Sequence, residues 1–284
     1  KCLKGEFPPV YDRTHYGIVE VGRPPSSFRE EVDRFMPEFR NRLCWFAPAE
    51  WMRNSEPFGG CVLAQEFLDA LPVHRVVYNG QDWGEIYVDY REGSFTEVVG
   101  PLSSPDLWEY CRLAPVQGPM ATGTALEINL AAARWLQELS DRLQQGYILI
   151  LDYGIWGSPL LADTLSCHFR QTAHHNPYIW LGEQDMTTHV DFHSLLLTAK
   201  KLGFAAQGLV SQRKFLFNLG IVERAMRRYD SRDPSVGLPE RLALKTLTLP
   251  GGMGDRFWVS LLERSMGGYP RFAGVALRGF ESPA

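Results

Sequence analysis

Short apolar runs that end near an acidic residue recur along the chain and alternate with more polar segments. Each run is too short and too apolar for a surface helix, which predicts strands buried on both faces. They are residues 16–21, 43–46, 61–65 and 147–151. Strands of this kind, separated by helical segments, predict an α/β fold built on a parallel sheet. We expect the strands to lie side by side, with their carboxyl ends at one edge.

Apolar residues at helical spacing predict the segments between the strands. Ser26 or Ser27, followed by Glu30 and Glu31, predicts a capped helix that continues to Arg40. A helix is expected over residues 124–143, and Asp191 is expected to cap another over residues 192–202, ended by Gly203. Shorter elements are expected as a helix at 105–113, a turn at 118–122, a strand at 204–210, a helix at 212–226, a polar break at 229–239, a helix at 240–246 and a strand at 257–262.

Two segments depart from this alternation. Residues 73–99 alternate apolar and polar positions around Asn79-Gly80 and Glu92-Gly93, which predicts antiparallel hairpins. Residues 155–190 have weak periodicity and carry several histidines. We therefore expect one domain over residues 1–284, with a hairpin insertion at about 73–123 and an irregular one at about 155–190. Insertions at the carboxyl ends of strands usually build the substrate side of a site.

Composition narrows the classes of partner. The chain has 284 residues, 45% of them hydrophobic, and a formal net charge of −4. This charge predicts neither a nucleic-acid partner nor an anionic membrane partner, and no apolar run is long enough for a membrane span. The amino terminus resembles neither a signal nor a transit peptide, so a cytoplasmic location is expected. The five cysteines lack any paired spacing, which favours reduced, mostly buried thiols.

Acidic residues at the strand ends are the candidate chemistry. Glu66 and Asp69 follow the strand at 61–65, and Asp152 follows the strand at 147–151. Glu20 ends the first strand, a position from which a carboxylate commonly binds ribose hydroxyls. The alternatives are a solvated glutamate at Glu20 and, at Glu66 and Asp69, an acidic turn in which Asp69 caps a helix.

A metal site is not predicted. The His189-x-Asp191-x-His193 array lacks the convergent third ligand and the HExxH spacing that catalytic zinc uses, so Asp191 is better explained as a helix cap.

Several segments together resemble the MidA family of class I S-adenosylmethionine-dependent methyltransferases, whose mitochondrial members are complex I assembly factors that methylate an arginine. The matching segments, in family order, are residues 18–20, 66–75, 127–129, 151–154, 164–165, 185–192, 212–220 and 254–257. The resemblance implies a Rossmann-like class I methyltransferase sheet with S-adenosyl-L-methionine as cofactor. It also implies a protein substrate, including a respiratory complex subunit as a candidate, and the mitochondrial matrix as the location in a eukaryote. A homodimer is compatible with the sequence, which does not decide the oligomeric state.

The resemblance also implies roles for individual residues. Glu66 and Asp69 are expected to be catalytic, and Glu20 and Gln65 to bind the cofactor. The residues expected to bind substrate are Asp152, Tyr153, His189 and Asp191. Two positions depart from the family pattern: Gln65 stands where Asn is usual, and Gly22 stands where Ser is usual.

One element of the class I fold has no counterpart before Tyr16. Class I methyltransferases begin with a strand and a glycine-rich turn that approaches the cofactor, and Gly5 stands alone in residues 1–15. The sequence thus predicts that the first βα unit is missing, and that a longer protein containing it, rather than this chain, binds S-adenosylmethionine. The rival hypotheses are a catalytically inactive assembly module that keeps the fold, and a nucleotide-dependent oxidoreductase, which the absent G-x-G-x-x-G disfavours.

Paired carboxylates suit an arginine acceptor. A guanidinium stays protonated in proteins and presents a planar fork of donors, which two carboxylates can orient while a proton leaves. Glu66 and Asp69 would supply that pair if both face the cleft.

Overall fold

The computed structural model describes residues 2–22, 24, 26–54, 56–113, 120–157, 164–228, 238–265 and 279–280. The chain divides into two compact units, residues 1–57 and residues 58–284. The prediction of one domain over the whole chain therefore stays a prediction. The polar break and the turn expected at 118–122 lie partly outside the described residues. No helix in the described ranges is both long and apolar enough to cross a membrane.

The first unit contains two parallel strands and short helices. Strand β1 pairs in parallel with β2, with Tyr16 opposite Leu43. The helix expected to reach Arg40 ends at Phe35 and is followed by a 3-10 turn at Pro37–Phe39. The predicted cap was wrong, because Ser27 is the N-cap residue but its side chain makes no capping hydrogen bond. The elements are α1 (Cys2–Glu6), α2 (Pro8–Arg13), β1 (Tyr16–Val19), α3 (Phe28–Phe35), β2 (Leu43–Phe46) and α4 (Pro48–Asn54).

The second unit is built around one long strand. Its strands are β3 (Phe58–Gln65), β4 (His74–Tyr78), β5 (Trp83–Arg91), β6 (Ser94–Gly100), β7 (Ala125–Ile128), β8 (Leu143–Ile155), β9 (Ser166–Phe169), β10 (Thr172–His174), β11 (Asp185–Thr187), β12 (Val190–Asp191), β13 (Ala205–Ser211) and β14 (Phe257–Ser265). Its helices are α5 (Pro105–Leu113), α6 (Leu130–Arg142), α7 (Phe192–Lys201), α8 (Gln212–Asn218), α9 (Ile221–Arg228), α10 (Leu238–Thr248) and α11 (Met253–Arg256).

Strand β8 is the centre of the main sheet. It pairs in parallel with β3 along its first part and with β12 at its end, and antiparallel with β14, which pairs with β13. Ile148 and Ile150 are fully buried, as expected for a strand covered on both faces. The parallel pairing of the strands at 61–65 and 147–151 is confirmed. Their placement beside β1 and β2 stays a prediction, because those strands belong to the other unit.

The predicted hairpins form a separate antiparallel sheet in the order β6-β5-β4-β7. The chain reverses at Gly80, with φ of 99°, and at Glu92 and Gly93, with φ of 50° and 84°. Positive φ at these positions is what tight hairpin turns require. The segment expected to be irregular at 155–190 contains a small three-stranded sheet in the order β10-β9-β11.

Three predictions about local structure were wrong. Residues 125–128 form β7 instead of the first turn of a helix, because they pair with β4 and bury Leu126 and Ile128. The single helix expected at 212–226 is two helices, α8 and α9, separated at Gly220, whose φ is 77°. Cys44 and Cys61 are exposed, although Cys111 and Cys167 are buried thiols.

Candidate active site

The chain turns sharply at the carboxyl end of β3. Glu66 has a φ of 47°, in the left-handed region that side chains with a Cβ adopt at a cost. Its backbone N–H donates to the carbonyl of Leu151 at 2.9 Å, which anchors the turn to β8. The next strand, β4, begins at His74, and no helix begins at Asp69 among the described residues. The alternative that Asp69 caps a helix is therefore wrong.

Asp152 stabilises this turn through hydrogen bonds to its backbone. Its carboxylate is fully buried, and Oδ2 accepts hydrogen bonds from the N–H groups of Phe67, Leu68 and Asp69 at 3.2, 2.9 and 3.3 Å. Oδ1 accepts from the N–H of Tyr153 at 3.0 Å. Burial, together with the neighbouring Asp69 carboxylate, raises the pKa of Asp152 to about 7, although the backbone donors act in the opposite direction. Asp152 thus positions the turn.

Asp69 presents an unsatisfied acceptor. The residue is 3% exposed, and its Oδ1 has no hydrogen-bond partner among the described residues. Its carbonyl accepts from the N–H of Thr188 at 3.0 Å, which ties the turn to the segment after β11. Burial and the neighbouring Asp69 carboxylate raise the pKa of the Tyr153 hydroxyl, which stays protonated at neutral pH. A buried acceptor without a donor costs free energy, so this oxygen is suited to a ligand that donates.

His189 is held by a short network. The buried Glu127 carboxylate accepts from the hydroxyl of Thr164 and from the N–H of Leu165, and Thr164 Oγ1 accepts from the N–H of His189 at 2.9 Å. The His189 ring lies 5.8 Å from the Tyr153 ring, edge to face. Burial lowers the pKa of His189; Arg256 acts in the same direction and Glu127 in the opposite one. The ring is therefore harder to protonate than a free imidazole.

These side chains line one cleft of about 1460 Å³. One wall is the turn after β3 with Glu66 and Asp69, and the floor includes Tyr153. A second wall comes from the segment that contains Gln184, Thr187 and His189, and the third from α10 and α11. The close approach of β12 to β8 requires Gly154, because a Cβ there would lie 2.2 Å from the carbonyl oxygen of Val190.

The structure brings together four of the eight predicted site residues: Glu66, Asp69, Tyr153 and His189 line the cleft. The other four are Glu20, Gln65, Asp152 and Asp191. Asp152 is buried behind the turn and does not line the cleft. Gln65 is exposed at the end of β3 and does not line the cleft.

Asp191 caps α7, as predicted. Its carboxylate accepts from the N–H groups of His193 and Ser194 and from the hydroxyls of Tyr110 and Ser194. It lines a separate cavity of about 440 Å³. The ranges that the structure describes contain no cluster of His, Cys, Asp or Glu able to hold a metal ion.

Glu20 lies in the first unit. Its Oε1 accepts from the N–H of Val21 at 2.8 Å and of Gly22 at 3.5 Å, and the residue is exposed. A carboxylate with one oxygen fixed at a strand end, as here, fits a pair of ribose hydroxyls, the chemistry that S-adenosyl-L-methionine offers.

Sequence reasoning did not single out four cleft residues: Gln184, Thr187, Lys245 and Arg256. Gln184 Oε1 and Thr187 Oγ1 are buried and, like Asp69 Oδ1, have no partner in the described part of the chain. Thr187 lies inside the segment 185–192 that carried the family resemblance, which was the available signal. No local pattern distinguishes Lys245.

An α/β sheet with a cleft at the carboxyl ends of β3 and β8 is the layout of a Rossmann-like enzyme. A family model for S-adenosyl-L-methionine-dependent methyltransferases matches residues 1–210. The chain belongs to this family.

Individual proteins and solved structures are also similar to this chain. The chain is 32% identical to the mitochondrial protein arginine methyltransferase NDUFAF7 homologue of Drosophila melanogaster over 221 residues, which cover 74% of this chain and 49% of that protein. A crystal structure from Burkholderia thailandensis has a TM-score of 0.78 and 28% identity, covering 94% of this chain and 68% of that one. Another from the same organism, bound to S-adenosyl-homocysteine, has a TM-score of 0.75 and 28% identity over 89% of this chain and 65% of that one. The predicted Rossmann-like class I fold is thus confirmed.

The chain spans about half the length of the curated relatives it matches.

Proposed function

We propose that the chain is an S-adenosyl-L-methionine-dependent protein methyltransferase whose cleft binds the guanidinium of an arginine. The observation that carries this proposal is the buried Asp69 carboxylate, whose Oδ1 lacks a donor at the edge of the cleft. A guanidinium supplies up to five N–H donors in one plane. The arginine methyltransferase activity named for the Drosophila relative supports the same acceptor.

The chain's own residues would orient the acceptor. Asp69 accepts from one guanidinium N–H, while Gln184 Oε1 and Thr187 Oγ1 are further acceptors that lack a partner in the described structure. Glu66, exposed at the cleft, adds a second negative charge and an acceptor for the proton that the guanidinium loses on methylation. Asp152 keeps the turn that carries both carboxylates in place. Alignment of this kind can supply much of the rate of a displacement reaction.

The cofactor, when bound, supplies a methyl group on a sulfonium. Glu20 of the first unit and Gln65 of the second remain the residues predicted to bind it. That the substrate is a respiratory complex subunit, that the location is the mitochondrial matrix and that the protein forms a homodimer stay predictions. The Drosophila relative is named as a mitochondrial protein.

The substitution Asp69→Asn tests the proposal. The amide is nearly the same size, so folding and cofactor affinity should be retained, while the negative charge facing the guanidinium is lost. A charge-assisted hydrogen bond contributes about 1.5–3 kcal/mol, so the rate of methyl transfer to an arginine-containing protein should fall by about one to two orders of magnitude. Asp89→Asn, at a partly exposed aspartate of β5 outside the cleft lining, is the matched control and should keep the wild-type rate.

Radiolabelled methyl transfer, melting temperature and cofactor affinity would be measured together in the longer protein that is predicted to bind the cofactor. An Asp69→Asn protein that transfers methyl groups at the wild-type rate would remove Asp69 from the proposed acceptor site. A protein that binds the acceptor but transfers nothing under any condition would favour the alternative of an inactive assembly module.

A further inference from the structure

Helix α10 presents a mixed stripe to the cleft. Leu242, Lys245 and Thr246 of α10, and Leu249 directly after its end, line the cleft. They are spaced by three or four residues, and the N–H of Leu249 still donates to the carbonyl of Lys245, which places all four on one face. Leu242 is 55% exposed and Leu249 is 44% exposed. Thr248 is buried, and the carbonyl of Leu247 accepts from the Gln212 side chain of α8, so the opposite face anchors the helix. The stripe therefore faces the cleft in a fixed orientation.

Charges of opposite sign line different walls of the cleft. Lys245 and Arg256 are exposed on the α10–α11 wall, and neither forms an ion pair within the described ranges. Glu66, Asp69 and Asp185 lie on the other walls. A ligand that matches this arrangement carries a cation at one point and an anion at another.

The size of the cleft also indicates a ligand larger than one side chain. At about 1460 Å³ it exceeds the range of about 300–1,000 Å³ typical of small-molecule pockets. Glu66 and Asp69 account for a guanidinium alone, so the cations and the exposed leucines contributed by α10, α11 and the turn between them have no ligand group assigned to them. An acidic side chain and an apolar side chain of the same substrate would match them.

We propose that the cleft selects arginines that have a carboxylate side chain and an apolar side chain nearby in the substrate protein. The carboxylate contacts Lys245 and Arg256, and the apolar side chain packs against Leu242 and Leu249. The role of the arginine rests on the proposed function, whereas the preference for a neighbouring acid is a property of binding that can be measured without methyl transfer.

The test uses three peptides that contain one arginine and one leucine and differ at a single nearby position, which is Glu, Gln or Lys. Binding is measured by fluorescence anisotropy with the wild-type protein and with Lys245→Gln, Lys245→Glu and Lys200→Gln. Lys200 is an exposed lysine of α7 outside the cleft lining, so it is the matched control. Circular dichroism checks that each variant is folded.

The wild-type protein should bind the Glu peptide about 3-fold to 10-fold more tightly than the Gln peptide at low salt, since two partly exposed ion pairs are gained. Lys245→Gln should reduce this preference, Lys245→Glu should shift it toward the Lys peptide, and Lys200→Gln should leave it unchanged. Added salt should weaken the preference. Equal affinity for the three peptides, or the same loss in Lys200→Gln, would overturn the inference.

Methyl transfer to the same peptides separates this inference from the proposed function. If affinity depends on the acidic residue but no methyl group is transferred, the inferred selectivity is supported and the proposed activity is rejected. If all three peptides bind with equal affinity and are methylated at an equal rate, the proposed activity is supported and the inferred selectivity is rejected.

Discussion

At the scale of single residues, Asp152 is the carboxylate on which the site depends structurally. In the sequence, Asp152 follows a predicted strand just as Glu66 and Asp69 do, so the pattern does not distinguish the roles of the three carboxylates. In the fold its two oxygens are occupied by backbone N–H groups of the turn and of Tyr153, and it does not contact the cleft. Its burial also changes how the protein responds to pH.

The pKa of Asp152 is raised to about 7 in the folded protein, above the ordinary value of about 3.9 that we assign to the unfolded chain. The folded state therefore binds the proton more tightly, and the associated stability is fully present below about pH 4 and lost as the pH rises through about 7. Asp152→Asn removes this titration. Between pH 5 and pH 8, urea unfolding should show that wild-type stability falls more than that of the variant, by roughly 1–3 kcal/mol.

The control for the pH prediction is Asp89, a partly exposed carboxylate of β5 whose pKa is lowered by its hydrogen bond from Arg91. Because Asp89 is ionised in both the folded and the unfolded chain between pH 5 and pH 8, its substitution by Asn should leave the pH profile over this range unchanged. If Asp152→Asn and the wild-type protein lost stability in parallel over this pH range, the titration would belong to another group.

At the scale of secondary structure elements, Asn129 sets the junction between β7 and α6. Its side-chain oxygen accepts from the N–H of Ala132 at 2.8 Å and caps the helix, while its Nδ2 donates to the carbonyl of Leu68 at 2.9 Å. One side chain thus links the start of α6 to the turn that carries Asp69. The helix boundary and the position of the site are coupled through it.

Two substitutions at Asn129 separate its two roles. Asn129→Ser keeps a capping oxygen but cannot reach Leu68, so it should lose about 1 kcal/mol of unfolding free energy. Asn129→Ala loses the cap as well and should lose about 1 kcal/mol more. Equilibrium urea unfolding measures both, and equal losses in the two variants would show that the cap contributes nothing.

At the scale of the whole molecule, the cleft and Glu20, which is predicted to bind the cofactor, lie in different compact units. All residues that line the cleft lie in residues 58–284, whereas Glu20 lies in residues 1–57. Glu20→Gln should therefore weaken S-adenosyl-L-methionine binding by about 10-fold to 100-fold, through lost charge-assisted hydrogen bonds, and leave peptide affinity within about twofold.

Isothermal titration of the longer protein that is predicted to bind the cofactor, with the cofactor and separately with the arginine peptide, checks this prediction. Glu30→Gln, an exposed glutamate of α3, is the matched control and should change neither affinity. Unchanged cofactor binding in Glu20→Gln would mean that Glu20 is the solvated strand-end residue of the alternative interpretation.

Short-range signals in the sequence determined much of the second unit. Apolar runs located β3 and β8, Asn79-Gly80 and Glu92-Gly93 located the hairpins, and Asp191 with Gly203 located the ends of α7. Each of these signals acts over a few residues: burial on both faces, positive φ at a turn, or an orphan N–H at a helix start. These elements could therefore be predicted from the sequence before any tertiary contact was known.

Tertiary structure decided the rest. Residues 125–128 have the spacing of a helix but pair with β4, because burying Leu126 and Ile128 outweighs a weak local preference. Asp152 became the support of the turn and Asp69 the free acceptor only because residues 83 positions apart in the chain meet at the end of β8. Lys245 likewise lines the cleft only because α10 packs near segments that are distant in the sequence. A sequence records which groups are available, but contacts between distant segments decide which of them are satisfied and which remain open to a ligand.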